Sequence, residues 1–218
     1  MNHRIAARQA SILTIVVGGY VAAQVLADVS SLKIVEVFGR AVDGGTFIYP
    51  VTFTLRDLVH KLAGKRVART LIIVAAAINL LMAGLFWLVD ALPAVADSGP
   101  TTDFFGEVLG PVWRIVIASI IAEVVSELID TEVYAAWVKR FRGEQQWGRV
   151  LVSNAVALPI DSVLFALIAF AGLLPGSVIT EIIVLNIVFK GLVTLASVPL
   201  IYAIRPDPIV DEAPLETV

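Results

Sequence analysis

Three carboxylates, Glu123, Glu127 and Asp130, stand at positions i, i+4 and i+7 of the stretch SIIAEVVSELIDTEVY, residues 119–134. That spacing keeps all three on one stripe of a helix. Glu132 falls off the stripe, toward a basic segment where it reaches water. Other polar groups repeat the pattern. Gln24 and Asp28 are four apart, Asn154 and Asp161 seven, Asn186 and Lys190 four, and Asp57 is followed by His60 and Lys61 at i+3 and i+4. An ionisable side chain at a bilayer centre costs about 2.5–3.5 kcal/mol or more, so such groups turn toward a bundle interior or an aqueous cavity. Acids, amides and a lysine on converging stripes make a polar wall for a ligand. The same residues also suit an ion-pair network that ties helices together, and Lys190 can neutralise either Glu127 or Asp161. Asp28, His60 and Lys61 lie near expected helix ends and can snorkel to the interface. Arg114 reads as an interfacial anchor.

The elements that must position these groups are membrane helices. Of 218 residues 58% are hydrophobic and 16% charged, with mean hydropathy +0.89. Soluble domains have about 45–50% apolar and 25% charged residues. A span needs about 20 mostly apolar residues, and six windows qualify: 11–29, 44–62, 68–90, 112–138, 150–173 and 179–204, the second being the weakest. Residues 32–38, LKIVEVF, are too short to span and read as an interfacial helical turn. Pro50, Pro159 and Pro199 fall inside spans, where each removes a backbone donor and either kinks the helix or exposes backbone beside a site. Eleven basic residues, in the amino-terminal segment, around 61–69, around 139–149 and at Arg205, share one side, against Lys33 and Arg40 on the other. The positive-inside rule then places both termini in the cytoplasm, with an even number of spans. A cleaved signal peptide at the start would leave five spans and break that charge pattern. The expected organisation is an all-α six-helix bundle over residues 1–204 and a disordered acidic cytoplasmic tail over 205–218.

Several classes are excluded. The formal net charge of −3 provides no basic surface for a nucleic-acid partner. No cysteine is present, so thiolate chemistry and disulfides are absent. With only His3 and His60, a histidine-rich metal centre is not expected. No Walker, HExxH or GxSxG motif occurs. The membrane acids carry no protease signature, and no cofactor is expected.

Four motifs in order resemble the queuosine precursor transporter family, also called the vitamin uptake transporter family. YPVTFTLRDLVHKLAGKRVAR (49–69) is similar to its second-helix signature through Tyr49, Pro50, Asp57, Gly64, Lys65, Arg66 and Arg69. SELIDTEVYAAWVKR supplies Glu127, Asp130 and Tyr134. IDSVLFALIAF supplies Asp161 and Ser162, and NIVFKGL with PLIY supplies Asn186, Lys190, Pro199 and Tyr202. The resemblance covers about residues 15–204. It implies an inner-membrane importer of 7-deazaguanine precursors of the tRNA nucleoside queuosine, such as 7-cyano-7-deazaguanine, in a six-helix bundle similar to the substrate-binding subunits of vitamin importers. Arg56 departs from the pattern, standing where a small residue is expected, and bears on the ligand more than on the fold.

Guanine-like chemistry suits these residues. Such a base presents adjacent N–H donors that one carboxylate accepts together. Glu127 or Asp161 is the expected acceptor. Asn154, Asn186 or Lys190 is the expected donor to the base's carbonyl, and Tyr49, Phe53 or Phe165 supplies a stacking ring. The expected substrate-binding set is Tyr49, Phe53, Asp57, Glu123, Glu127, Asp130, Asn154, Asp161, Asn186 and Lys190. Partners are the small-molecule substrate and membrane lipid, with a homodimer or an energy-coupling partner left open. Proton coupling, facilitated diffusion with intracellular trapping and an ATPase partner are alternative driving forces. A different heterocyclic vitamin or purine as cargo, a structural subunit whose acids serve helix association, and an intramembrane enzyme are the competing functions.

Overall fold

The computed structural model describes the backbone of residues 2–95, 99, 102, 104–141 and 146–203. Side chains of residues 2–9, 134–151 and 197–203, and of Asp57, His60, Lys61, Lys65, Glu127, Asp130, Thr131, Glu132, Ser153 and Asn154, lie outside the description, as does the acidic tail. Helix α1 is Asn2–Ser30. Strands β1, Ile34–Val37, and β2, Arg40–Asp43, pair antiparallel, with Ile34 opposite Asp43 and Val37 opposite Arg40. A 3-10 turn, Gly44–Phe47, leads into α2, Tyr49–Asp90, which breaks into two arms at Gly64. A short α3, Phe105–Leu109, precedes the long α4, Val112–Phe141, α5, Gln146–Phe170, and α6, Gly176–Ala203.

Among the described residues, four helical segments are long and apolar enough to cross a membrane: Ala10–Ser30, Arg66–Asp90, Phe105–Ser126 and Gly176–Ala196. Ala155–Phe170 is apolar but shorter. The bundle is apolar outside and partly polar within. Ile15, Ile73, Leu81, Trp87, Leu128 and Leu192 are exposed, whereas Gln24, Asp28, Glu123, Asp161 and Lys190 are buried. A surface of large apolar side chains around charged groups is what a lipid solvent selects. Small residues, among them Ala27, Ala118, Ala122, Ala166 and Ala169, are buried in α1, α4 and α5, where they let helix backbones approach closely.

Two apolar clusters fix the frame. Val16 and Tyr20 of α1 pack with Leu58, Val59, Leu71 and Ala75 from both arms of α2. Ile115 and Ala118 of α4 pack with Ala166, Ala169 and Phe170 of α5 and Ile182 of α6.

Three expectations need correction. Residues 34–37 are a strand, not a helical turn: Val35 and Val37 are β-branched, and Phe38 and Gly39 both take positive φ, 52° and 75°, which suits a two-residue hairpin turn. The molecule is therefore helical with one small hairpin. Pro50 sits in the first turn of α2 and kinks nothing, because that position has no helical partner for an N–H. The basic stretch near 63–67 is not an extended loop. A single residue, Gly64 at φ 83° and ψ 169°, separates the two arms.

Candidate polar site within the bundle

The centre of the site is an ion pair. Lys190 of α6 is bonded to Asp161 of α5, and both are almost fully buried. Asp161 is thus the acid that the described residues place against the lysine. Breaking such a pair by removing one partner leaves an uncompensated buried charge, at a cost of about 3–5 kcal/mol. Two rings of α2 border the ammonium. Lys190 Nζ lies 4.5 Å from the Tyr49 ring centroid and 5.8 Å from that of Phe53. The two rings meet edge to face at 5.4 Å. A cation over an aromatic face gains electrostatically, more so when desolvated. Arg56, one turn beyond Phe53, places its guanidinium carbon 5.3 Å from the Phe53 centroid. It also acts electrostatically on Glu123. The departure from the family pattern thus faces the site.

Glu123 of α4 extends the network to α1. Its Oε1 accepts from the Tyr20 hydroxyl at 2.8 Å, and the Gln24 amide nitrogen lies 3.4 Å from each carboxylate oxygen and 3.0 Å from the Tyr20 oxygen. One turn along α4, Ser126 is buried and its hydroxyl lies 3.4 Å from Asp161 Oδ1. Tyr20, Asp28, Glu123 and Asp161, from α1, α4 and α5, all act electrostatically on the Tyr49 hydroxyl.

A second cluster adjoins α6. Asp43 accepts from Ser31 at 2.9 Å and from Thr46 at 2.7 Å, and Thr46 also bonds Asn186. Asn186 is thus engaged with the segment that follows the hairpin, one turn from Lys190 on α6.

Of the expected site residues, Tyr49, Phe53, Glu123, Asp161 and Lys190 come together, with Asn186 one turn away. The side chains of Asp57, Glu127, Asp130 and Asn154 lie outside the described residues. Phe165 packs edge to face on Phe170 at 5.9 Å, within the cluster between α4, α5 and α6. Arg114 donates from Nε to the Ile168 carbonyl at 2.8 Å and from Nη2 to that of Ala171. It caps the end of α5, away from the ion pair. Asp28 does not snorkel: it is 2% exposed and turned inward beside Ser119. Tyr20, Asp43, Thr46 and Ser126 were missed. Tyr20 was legible, since Tyr20, Gln24 and Asp28 continue one i, i+4, i+8 stripe; Asp43 and Thr46 carried no periodic signal.

The family model described as "Putative vitamin uptake transporter" matches residues 43–204. The chain belongs to the vitamin uptake transporter family. A similar protein is the "Probable queuosine precursor transporter" of Bacillus subtilis (strain 168), 28% identical over 187 residues, which cover 84% of this chain and 80% of that one. No solved structure matches. Vitamin uptake transporters are multi-pass membrane transporters, not enzymes. The family match begins at Asp43, so it takes in the ion pair and its aromatic border but not Tyr20, Gln24 or Asp28 of α1.

Proposed function

We propose that this transporter imports a 7-deazaguanine precursor of queuosine across a bacterial inner membrane, with six spans and both termini in the cytoplasm. The observation that carries this reading is the buried Asp161–Lys190 pair bordered by Tyr49 and Phe53. The pair is an acceptor beside a donor. A guanine-type edge presents two N–H donors beside a carbonyl acceptor, so it is complementary to that dipole. Asp161 accepts the ring donors, Lys190 turns to the carbonyl, and Tyr49 or Phe53 stacks on the base. An adenine-type edge offers a single amino donor beside a ring-nitrogen acceptor, so even turned over it leaves one Asp161 oxygen without the second donor that a guanine-type edge supplies. Rejection of a ligand that strands buried polar groups is strong. The relative's name supports the same cargo.

The test is rescue of queuosine in tRNA. A strain that neither makes nor imports the precursor expresses the protein and is fed 7-cyano-7-deazaguanine at nanomolar concentration. Restored queuosine, lost in Asp161→Asn at equal membrane abundance, is the expected result. No queuosine from protein present in the membrane rejects this cargo.

A further inference from the structure

Gln24, Asp28 and Asn79 each bury a polar oxygen that has no hydrogen-bond partner: Gln24 Oε1, Asp28 Oδ2 and Asn79 Oδ1. All three residues are no more than 3% exposed. The ion pair and the aromatic border do not use these oxygens. Gln24 is held in one orientation, because its amide nitrogen must face the Glu123 carboxylate and the Tyr20 oxygen. Its carbonyl oxygen is therefore the free end. Asp28 lies one turn further along the same face of α1. Across from it, Ser119 of α4 stands beside the carboxylate, one turn before Glu123. Asn79 belongs to the second arm of α2. It is flanked at i−4 by Ala75, which packs in the cluster with Tyr20, and at i+4 by Ala83, which packs on Val112 and Val116 of α4. The stripe Ala75–Asn79–Ala83 thus runs from the cluster shared with α1 to the one shared with α4.

Unpartnered buried oxygens are costly. All three here are acceptors, and a bound cation would satisfy them together. Oxygen-only donor sets suit hard cations. One carboxylate among amide and hydroxyl oxygens balances a single positive charge. The second nearby acid, Glu123, is already engaged by Tyr20 and Gln24 and lies in the field of Arg56. We propose that Gln24, Asp28, Asn79 and Ser119 form a sodium-binding site at the α1–α2–α4 junction, one helical turn from the residues that hold Glu123. Coupling ions in transporters bind close to the substrate site. Here Gln24 joins the two, bonding Glu123 through its nitrogen and offering its oxygen to the ion. Sodium occupancy therefore holds the Gln24 amide, and through it Glu123, in the arrangement bonded to Tyr20. The inference deepens the transporter reading but is tested without any deazapurine.

The experiment is equilibrium binding of radiolabelled sodium to the purified full-length protein in detergent. Saturable binding in the absence of substrate is expected, with potassium and choline failing to displace it. Asp28→Asn abolishes it and Asn79→Ala weakens it, both eluting as the wild type does on size exclusion. Asp161→Asn, which removes the ion pair, retains it. Absence of saturable sodium binding to folded wild-type protein overturns the site, as does binding that survives both Asp28→Asn and Asn79→Ala. Uptake driven by a proton gradient with no sodium binding also overturns it. Sodium binding without queuosine rescue leaves the ion site standing and rejects the cargo. Rescue without sodium binding rejects the ion site alone.

Discussion

Lys190 neutralises Asp161 where both are almost fully buried, and this makes the two residues separable by experiment. Lys190→Met leaves a buried carboxylate without its cation, and a loss of about 3–5 kcal/mol is expected. It is read as a lowered melting temperature in detergent. Adding Asp161→Asn to that variant removes the stranded charge and recovers much of the stability. Uptake stays absent in both. A double variant as unstable as the single one would mean that the lysine holds the bundle through something other than charge balance. Tyr20 offers a second test. Its hydroxyl donates to Glu123 at 2.8 Å, and Tyr20→Phe leaves that carboxylate short of a donor at a cost of about 1–3 kcal/mol. Unchanged stability and uptake would reduce Tyr20 to a packing ring. At this scale helical spacing exposed much of the site. Gln24, Asp28, Asn186 and Lys190 were visible as pairs because period 3.6 converts sequence distance into a shared face. Which stripes meet was not visible. The pairing of Lys190 with Asp161 depends on how α5 and α6 pack, and no local spacing contains that.

Gly44 and Gly45 join the hairpin to α2, and the backbone there passes very close to the end of α1. A Cβ on Gly44 would lie 2.4 Å from the Ser30 carbonyl oxygen, and one on Gly45 would lie 2.7 Å from that of Ala27 and 2.1 Å from Ser31 Oγ. Backbone cannot retreat as a flexible side chain can, so overpacking here is expected to cost about 1–3 kcal/mol. Gly45→Ala should lower the melting temperature and reduce uptake, because Asp43 and Thr46 on either side tie this segment to Ser31 and Asn186. Gly84→Ala is the control. It sits in open space and gains helix propensity, so no loss is expected. Equal behaviour of the two variants would show that the close approach has no energetic weight. The two glycines had no legible purpose in the sequence, since what they avoid is a helix end more than ten residues away. The hairpin was missed for a different reason. Lipid-length windows smooth over four-residue strands, although the run IVEV before a Phe-Gly pair is a strand-and-turn pattern. Gly64 was legible only as part of a basic run, yet its positive φ is what separates the arms of α2.

As a whole the molecule presents apolar side chains outward and keeps its buried acids and lysine for the interior. Its helical, membrane-spanning class followed from composition because the lipid solvent constrains every outward residue at once. Four of the expected spans recur as long apolar helices and a fifth as a shorter one. The window at 44–62 is different. It divides into a 3-10 turn and an arm of α2 bearing Tyr49, Phe53 and Arg56, and its weak hydropathy reflects its place beside the polar site. Orientation in the membrane is the remaining whole-molecule property, and the absence of cysteine makes it directly measurable. Phe38 at the hairpin tip is fully exposed, and Arg66, just beyond the Gly64 break, is exposed as well. On the proposed topology the hairpin faces outward and the break faces the cytoplasm, because the break lies among the basic residues that the positive-inside rule retains. A membrane-impermeant maleimide should therefore label Phe38→Cys in intact cells, and label Arg66→Cys only after permeabilisation. The reverse pattern would invert the protein. The positive-inside assignment of both termini to the cytoplasm would then fail, and the basic segments around 61–69 and 139–149 would have to be held outside by something other than their charge.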